Sequence, residues 1–150
     1  MERIKTSTAK AVQSDDIELT RARMQLLMHD PADATEELVQ ARHRIYHQPD
    51  FVANIHNLLS LQEMEVRQRN LLRPDRMALI KAPTLVVWGG QENPFGDVPE
   101  AKKMAEDIPG AQLELYSECG HWPQHEQAAK YNPLSLEFLA KASASAKAAI

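Results

Sequence analysis

Two short apolar runs constrain this chain more than any other feature: PTLVVWG at residues 83–89 and AQLELYS at residues 111–117. The first is rich in β-branched residues and ends in glycine, the form of a parallel strand buried on both faces. Between the two lies VPEAKKMAEDIP, which reads as a helix. Strand, helix, strand in that order is a parallel pair with a crossover, so the fold class is α/β. After the second strand, PQHEQAAKYNPLSLEFLAKA reads as a closing helix with Pro123 in its first turn. Pro133 is expected to bend or split that helix, and the tail SASAKAAI to fray. Two parallel strands are only part of a sheet, whose faces and edge need neighbours. The expectation is that further chain precedes residue 1 in a complete protein.

Before residue 80 the pattern is helical and charged. SDDIELTRARMQLLMHD starts on Ser14, Asp15 and Asp16, good capping and dipole partners. Its apolar residues Ile17, Met24, Leu27 and Met28 recur at helical spacing, and Pro31 is expected to stop it. A second helix begins at Asp33 or Thr35 and runs to about His47, before Pro49. A third, DFVANIHNLLSLQEMEVRQRNLL, carries Phe51, Ile55, Leu58, Leu59 and Leu61 on one broad side and ends before Pro74. The predicted division is therefore a helical segment at residues 1–79 and an α/β segment at residues 80–150.

At 150 residues the chain suits one domain with a modest core. Its formal charge of -4 gives no footprint for nucleic acid or an anionic membrane surface. No unbroken apolar run is long enough to span a bilayer, and MERIKTSTAK lacks the apolar core of a secretory signal. A single cysteine, Cys119, excludes an internal disulfide. A cytoplasmic location is the expectation.

Two loops carry candidate chemistry. WGGQENPFGD, after the first strand, holds Glu92 and Asp97, outside the carboxyl end of a parallel strand, where open α/β sheets place their sites. YSECGHWPQHE, after the second, holds His121 between Gly120 and Trp122. Imidazole is the side chain best suited to proton transfer near neutrality, and a carboxylate beside it fixes its tautomer. Acid loop, helix, strand, histidine loop is the C-terminal order of an α/β-hydrolase triad.

At these residues the chain resembles a family. IKAPTLVVWGG, IPGAQLELYSECGHWPQHE and YNPLSLEFL are similar to the last two strands and final helix of the meta-cleavage-product hydrolases. Upstream, MHDPADATEELVQARHRIY is similar to that family's lid segment. Those enzymes are serine-dependent α/β-hydrolases that cut a carbon–carbon bond in 2-hydroxy-6-oxo-hexa-2,4-dienoates from aromatic catabolism. The resemblance covers roughly residues 10 to 140. It implies that residues 1–79 are lid and residues 80–150 the C-terminal part of the core. It carries the catalytic histidine onto His121, the carboxylate-binding arginine onto Arg42 and the pocket tryptophan onto Trp122. The family's aspartate falls on Glu92, with Asp97 as the competing acid. The implied partner is a small-molecule dienoate, and no cofactor or metal is implied. A homodimer and an N-terminal half carrying the nucleophile are the candidate assemblies.

The nucleophile elbow G-x-S-x-G is absent: none of Ser7, Ser14, Ser60, Ser117, Ser135, Ser143 or Ser145 has those flanking glycines. The resemblance therefore implies a hydrolase fragment without serine-dependent turnover of its own. Other readings are a non-catalytic truncated product, a partner-dependent subunit, and an α/β-hydrolase esterase sharing only the scaffold. His43 and His47 stand four apart, as do His121 and His125, but no third ligand or H-E-x-x-H pattern accompanies either pair. Cys119 reads as a buried, inert thiol.

Overall fold

The computed structural model describes residues 2–61, 63–90 and 96–148. The chain divides into two compact units, Met1–Leu72 and Arg73–Ile150.

The first unit is helical: α1 Glu2–Gln13, α2 Ile17–Gln25, α3 Glu36–Tyr46, α4 Pro49–Ser60 and α5 Met64–Arg69. Sequence reading assigned no element to α1, because serines and threonines dilute its pattern. Ile4, Ala11 and Val12 nonetheless recur on one side and are all buried. The Ser7 and Thr8 hydroxyls donate back to the Ile4 carbonyl at 3.0 and 2.9 Å, so they satisfy themselves within the helix.

Asp16 caps α2, its carboxylate accepting the Glu18 amide at 3.0 Å. Regular helix ends at Gln25, well before Pro31, and tightens into i→i+3 bonds from Leu27 to Met24 and from Met28 to Gln25. That tightening turns Met24, Leu27 and Met28 all inward. Thr35 rather than Asp33 caps α3, accepting the Leu38 amide at 3.3 Å. Ala11, Val12 and Tyr46 form a buried cluster against which Leu19, Phe51 and Ile55 pack, with the Tyr46 and Phe51 rings 5.4 Å apart.

The long third helix of the sequence reading is two helices, α4 and α5. Beyond Ser60 the apolar residues are largely exposed: Leu61 is 59% exposed and Met64 66%. Packing supplies most of a helix's stability, so periodicity alone does not carry the helix through.

The second unit contains α6 Pro74–Met77, β1 Leu85–Gly89, α7 Val98–Asp107, β2 Gln112–Tyr116, α8 Pro123–Glu126 and α9 Ala128–Ala148. Among the described residues the sheet has two strands, parallel, with Leu85 opposite Gln112 and Gly89 opposite Tyr116. Val86 is buried, whereas Leu85 and Val87 are half-buried, so β1 is less covered than a strand sealed on both faces.

The closing helix breaks at Gln127, not at Pro133, which sits inside α9. Gln127 leaves helical geometry at φ -124°, and its side-chain amide donates to the Glu118 carbonyl at 2.7 Å. A tie across the loop sets the break. The tail expected to fray stays helical to Ala148, consistent with its alanine content.

Candidate functional site

Parallel register brings the carboxyl ends of β1 and β2 side by side, and the Gly90 amide donates to the Tyr116 carbonyl at 2.7 Å just beyond them. The loop after β2 then folds back onto the end of β1. The approach is close: a Cβ built on Gly89 would lie 1.7 Å from the Gly120 carbonyl oxygen and 2.6 Å from that of Cys119. Only a residue without a side chain lets the histidine loop rest on the strand end.

Glu126, in α8, completes the loop. Its Oε2 accepts the Gly120 amide at 2.8 Å and its Oε1 the Trp122 amide at 2.8 Å. These are the residues on either side of His121. Sequence reading singled out the histidine and missed this carboxylate. Its signal was the spacing: a glutamate four residues after the helix-capping Trp122 can reach back over the first turn.

His121 is half-buried in the wall of an open cavity of about 340 Å³. Val87, Trp88 and Gly89 of β1, with Pro123 and Tyr131, line the same space. The volume suits a small organic molecule, and an imidazole there can exchange a proton with a group that enters. Trp122, also half-buried, begins α8 and meets the His125 ring edge-on at 6.3 Å. Tyr116 is buried, and burial pushes its phenol above its ordinary value, with Glu114 next in effect. Cys119 is a buried thiol 3.9 Å from Glu126 Oε1.

The two acids fare differently. Glu92 lies outside the described residues. Asp97 caps α7: its carboxylate accepts the Glu100 amide at 3.2 Å, and the Glu100 carboxylate accepts the Asp97 amide at 3.1 Å in return.

Arg42 belongs to the first unit. It is half-buried, with its guanidinium carbon 5.0 Å from the centre of the Tyr46 ring, a cation–π arrangement. Glu36, one of the acids preceding it, is engaged by Arg21 at 2.7 Å and by Gln40 at 2.9 Å. His47 sets its two ring nitrogens against carbonyl oxygens, Nδ1 2.8 Å from His43 O and Nε2 3.0 Å from Ser14 O. The His43 Nδ1 pairs with the Thr20 hydroxyl at 3.0 Å. Hydrogen bonds within the first unit thus engage both histidines. No helix among the described residues is long and apolar enough to cross a membrane.

No family model matches the chain. Over 132 residues it is 35% identical to a 2-hydroxy-6-oxononadienedioate/2-hydroxy-6-oxononatrienedioate hydrolase of Comamonas testosteroni, with 87% of this chain and 44% of that protein covered. Over the same length it is 33% identical to a 2-hydroxy-6-oxo-6-phenylhexa-2,4-dienoate hydrolase of Burkholderia cepacia, with the same coverage. The chain thus spans a little under half the length of these curated relatives. Its fold is similar to that of a mutant of the meta-cleavage product hydrolase CumD from Pseudomonas fluorescens IP01, with a TM-score of 0.68 and 28% identity over 85% of this chain and 46% of that one. In sequence and fold the chain is thus similar to meta-cleavage-product hydrolases of the α/β-hydrolase superfamily and matches their C-terminal part.

Proposed function

We propose that this chain supplies the lid and the C-terminal core of an enzyme that hydrolyses a carbon–carbon bond in a 2-hydroxy-6-oxo-dienoate, in a cytoplasmic setting. On this reading residues 1–79 are the lid and residues 80–150 the core segment. His121 moves the protons, Glu92 orients it, Arg42 takes the dienoate carboxylate in bidentate fashion and Trp122 borders the substrate. A nucleophile-bearing N-terminal half completes the triad with a serine. The dienol ketonises, the serine or an activated water attacks the C6 ketone, and cleavage releases a hydroxydienoate and a carboxylic acid.

The observation that carries this reading is the half-buried imidazole of His121 in a cavity wall at the carboxyl ends of two parallel strands. Open α/β folds use that location for chemistry. The engagement of Asp97 as a helix cap supports Glu92 as the acid.

The test is to join the chain to the nucleophile-bearing segment of a meta-cleavage-product hydrolase and follow loss of the conjugated dienoate absorbance. His121→Ala should lower turnover by roughly two to four orders of magnitude. Arg42→Ala should weaken use of the charged dienoate far more than that of a neutral ester. Equal losses on both substrates would remove the carboxylate role. Undiminished turnover in His121→Ala would remove the base.

A further inference from the structure

We infer that Glu126 is a positioning residue for His121, acting through the backbone on both sides of it. The inference rests on the reading of His121 as the proton-transfer group.

The argument is geometric. One carboxylate accepts amide protons from residues 120 and 122, each at 2.8 Å, and so fixes the peptide planes that enter and leave residue 121. Both bonds are charge-assisted, the stronger class of hydrogen bond. With the flanking peptides held, the direction of the His121 Cα–Cβ bond is set before any side-chain contact is made. The loop has no regular structure to do this, since β2 ends at Tyr116 and α8 begins at Pro123. Gly89, whose missing side chain admits the Gly120 carbonyl, and the Gln127 side-chain amide, which donates to the Glu118 carbonyl, anchor it further. The loop is pinned from one side by a strand end and from the other by a carboxylate. Glu126 is half-buried, and Gly120 and Cys119 are buried, so water competes poorly for these amides.

Chemistry dictates a carboxylate. A glutamine of the same length has one acceptor oxygen, and its amide group would face the second N–H donor to donor. An aspartate is one methylene too short to reach back to both amides.

The experiment uses the full chain and its Glu126→Gln, Glu126→Asp and Glu126→Ala variants, read by nuclear magnetic resonance. Unchanged amide resonances for Val86, Val87, Leu113 and Glu114 establish that the sheet is intact. In Glu126→Gln the Gly120 and Trp122 amides should shift upfield, with exchange protection of at least one falling about tenfold. The long-range proton–nitrogen pattern of the His121 ring should change from one dominant tautomer to a mixture, with averaged χ1 couplings. Glu126→Asp should fall between wild type and Glu126→Gln. If the two amides lose protection while the His121 tautomer ratio and couplings stay at wild-type values, Glu126 is only a loop staple and the inference is wrong. It is equally wrong if the amides do not respond. Should Glu126→Ala fail to fold, Glu126→Gln decides the matter. These readouts involve no turnover, so they stand or fall separately from the assignment of His121 as base.

Discussion

Gly89 and Gly120 touch backbone to backbone: the Gly120 carbonyl oxygen occupies the space a Cβ on residue 89 would need, 1.7 Å from its ideal position. The contact joins the end of β1 to the loop carrying His121. Gly89→Ala should therefore destabilise the second unit by about 3 kcal/mol, the upper end of overpacking costs, because the obstructing atom is main chain and cannot rotate away. Gly110 makes the contrast. Its φ of +73° is the left-handed region, yet nothing lies within 4 Å of its Cβ position. Gly110→Ala should cost only about 1 kcal/mol, through conformation alone. Urea midpoints of the two variants check the order, and a Gly89→Ala midpoint near wild type would refute the close packing.

Tyr116 is buried with its hydroxyl unpaired among the described residues. An unsatisfied buried hydroxyl destabilises, so Tyr116→Phe should be neutral or stabilising by up to about 1 kcal/mol near neutral pH. The pH dependence follows from the raised phenol pKa. The folded state holds the proton more tightly than the unfolded chain. Stability is therefore full below the ordinary tyrosine value of about 10 and falls as pH rises through the higher folded value. Thermal midpoints across the alkaline range should slope less steeply in Tyr116→Phe than in wild type.

Arg23 is a buried cation with no ion pair among the described residues. It is 7% exposed, its Nε donates to the Thr8 hydroxyl at 2.9 Å, and its Nη1 is buried without a partner among the described residues. Burial lowers its pKa, and Arg42 acts in the same direction. Replacing such a charge by an apolar side chain of similar length is often neutral or stabilising. Arg23→Met should leave stability unchanged or raise it by about 1 kcal/mol. Thr8→Ala, which strips the Nε of its acceptor, should lower stability by a similar amount. Denaturant unfolding of both variants measures this, and a large loss in Arg23→Met would reveal an anionic partner.

Arg21 bridges two helices on the surface, holding Glu18 of α2 at 3.1 Å and Glu36 of α3 at 2.7 Å. The Arg21 hydrogen bond, followed by that of Gln40, lowers the Glu36 pKa. The sign is that of a depressed carboxylate: its contribution is present above the ordinary value of about 4.3 and is lost as pH falls through the lower folded one. Both partners face solvent, so salt should screen the pair. A double-mutant cycle of Arg21→Met and Glu36→Gln should show coupling at low salt that shrinks at high salt and at acid pH. Coupling that ignores salt would contradict the solvent-exposed geometry.

The amino-acid sequence alone determined the order strand, helix, strand with its parallel sense, the short stretches Ser14–Asp16 and Asp33–Thr35 within which the helix caps fall, and His121 as the residue to examine. Those features are local: periodicity, capping chemistry and loop position lie within a few residues of one another and need no partner elsewhere. The tertiary structure alone decided what depends on contact across space. It ended the third helix at Ser60, beyond which Leu61 and Met64 are exposed, and moved the break in the closing helix from Pro133 to Gln127, which a glutamate carbonyl in the loop holds. It also made Gly89 the floor of the histidine loop and Glu126 its clasp. A glycine at a strand end and a glutamate in a short helix read alike whether they face solvent or another segment; only packing distinguishes them, because the energy of each resides in an atom pair that the linear order does not specify.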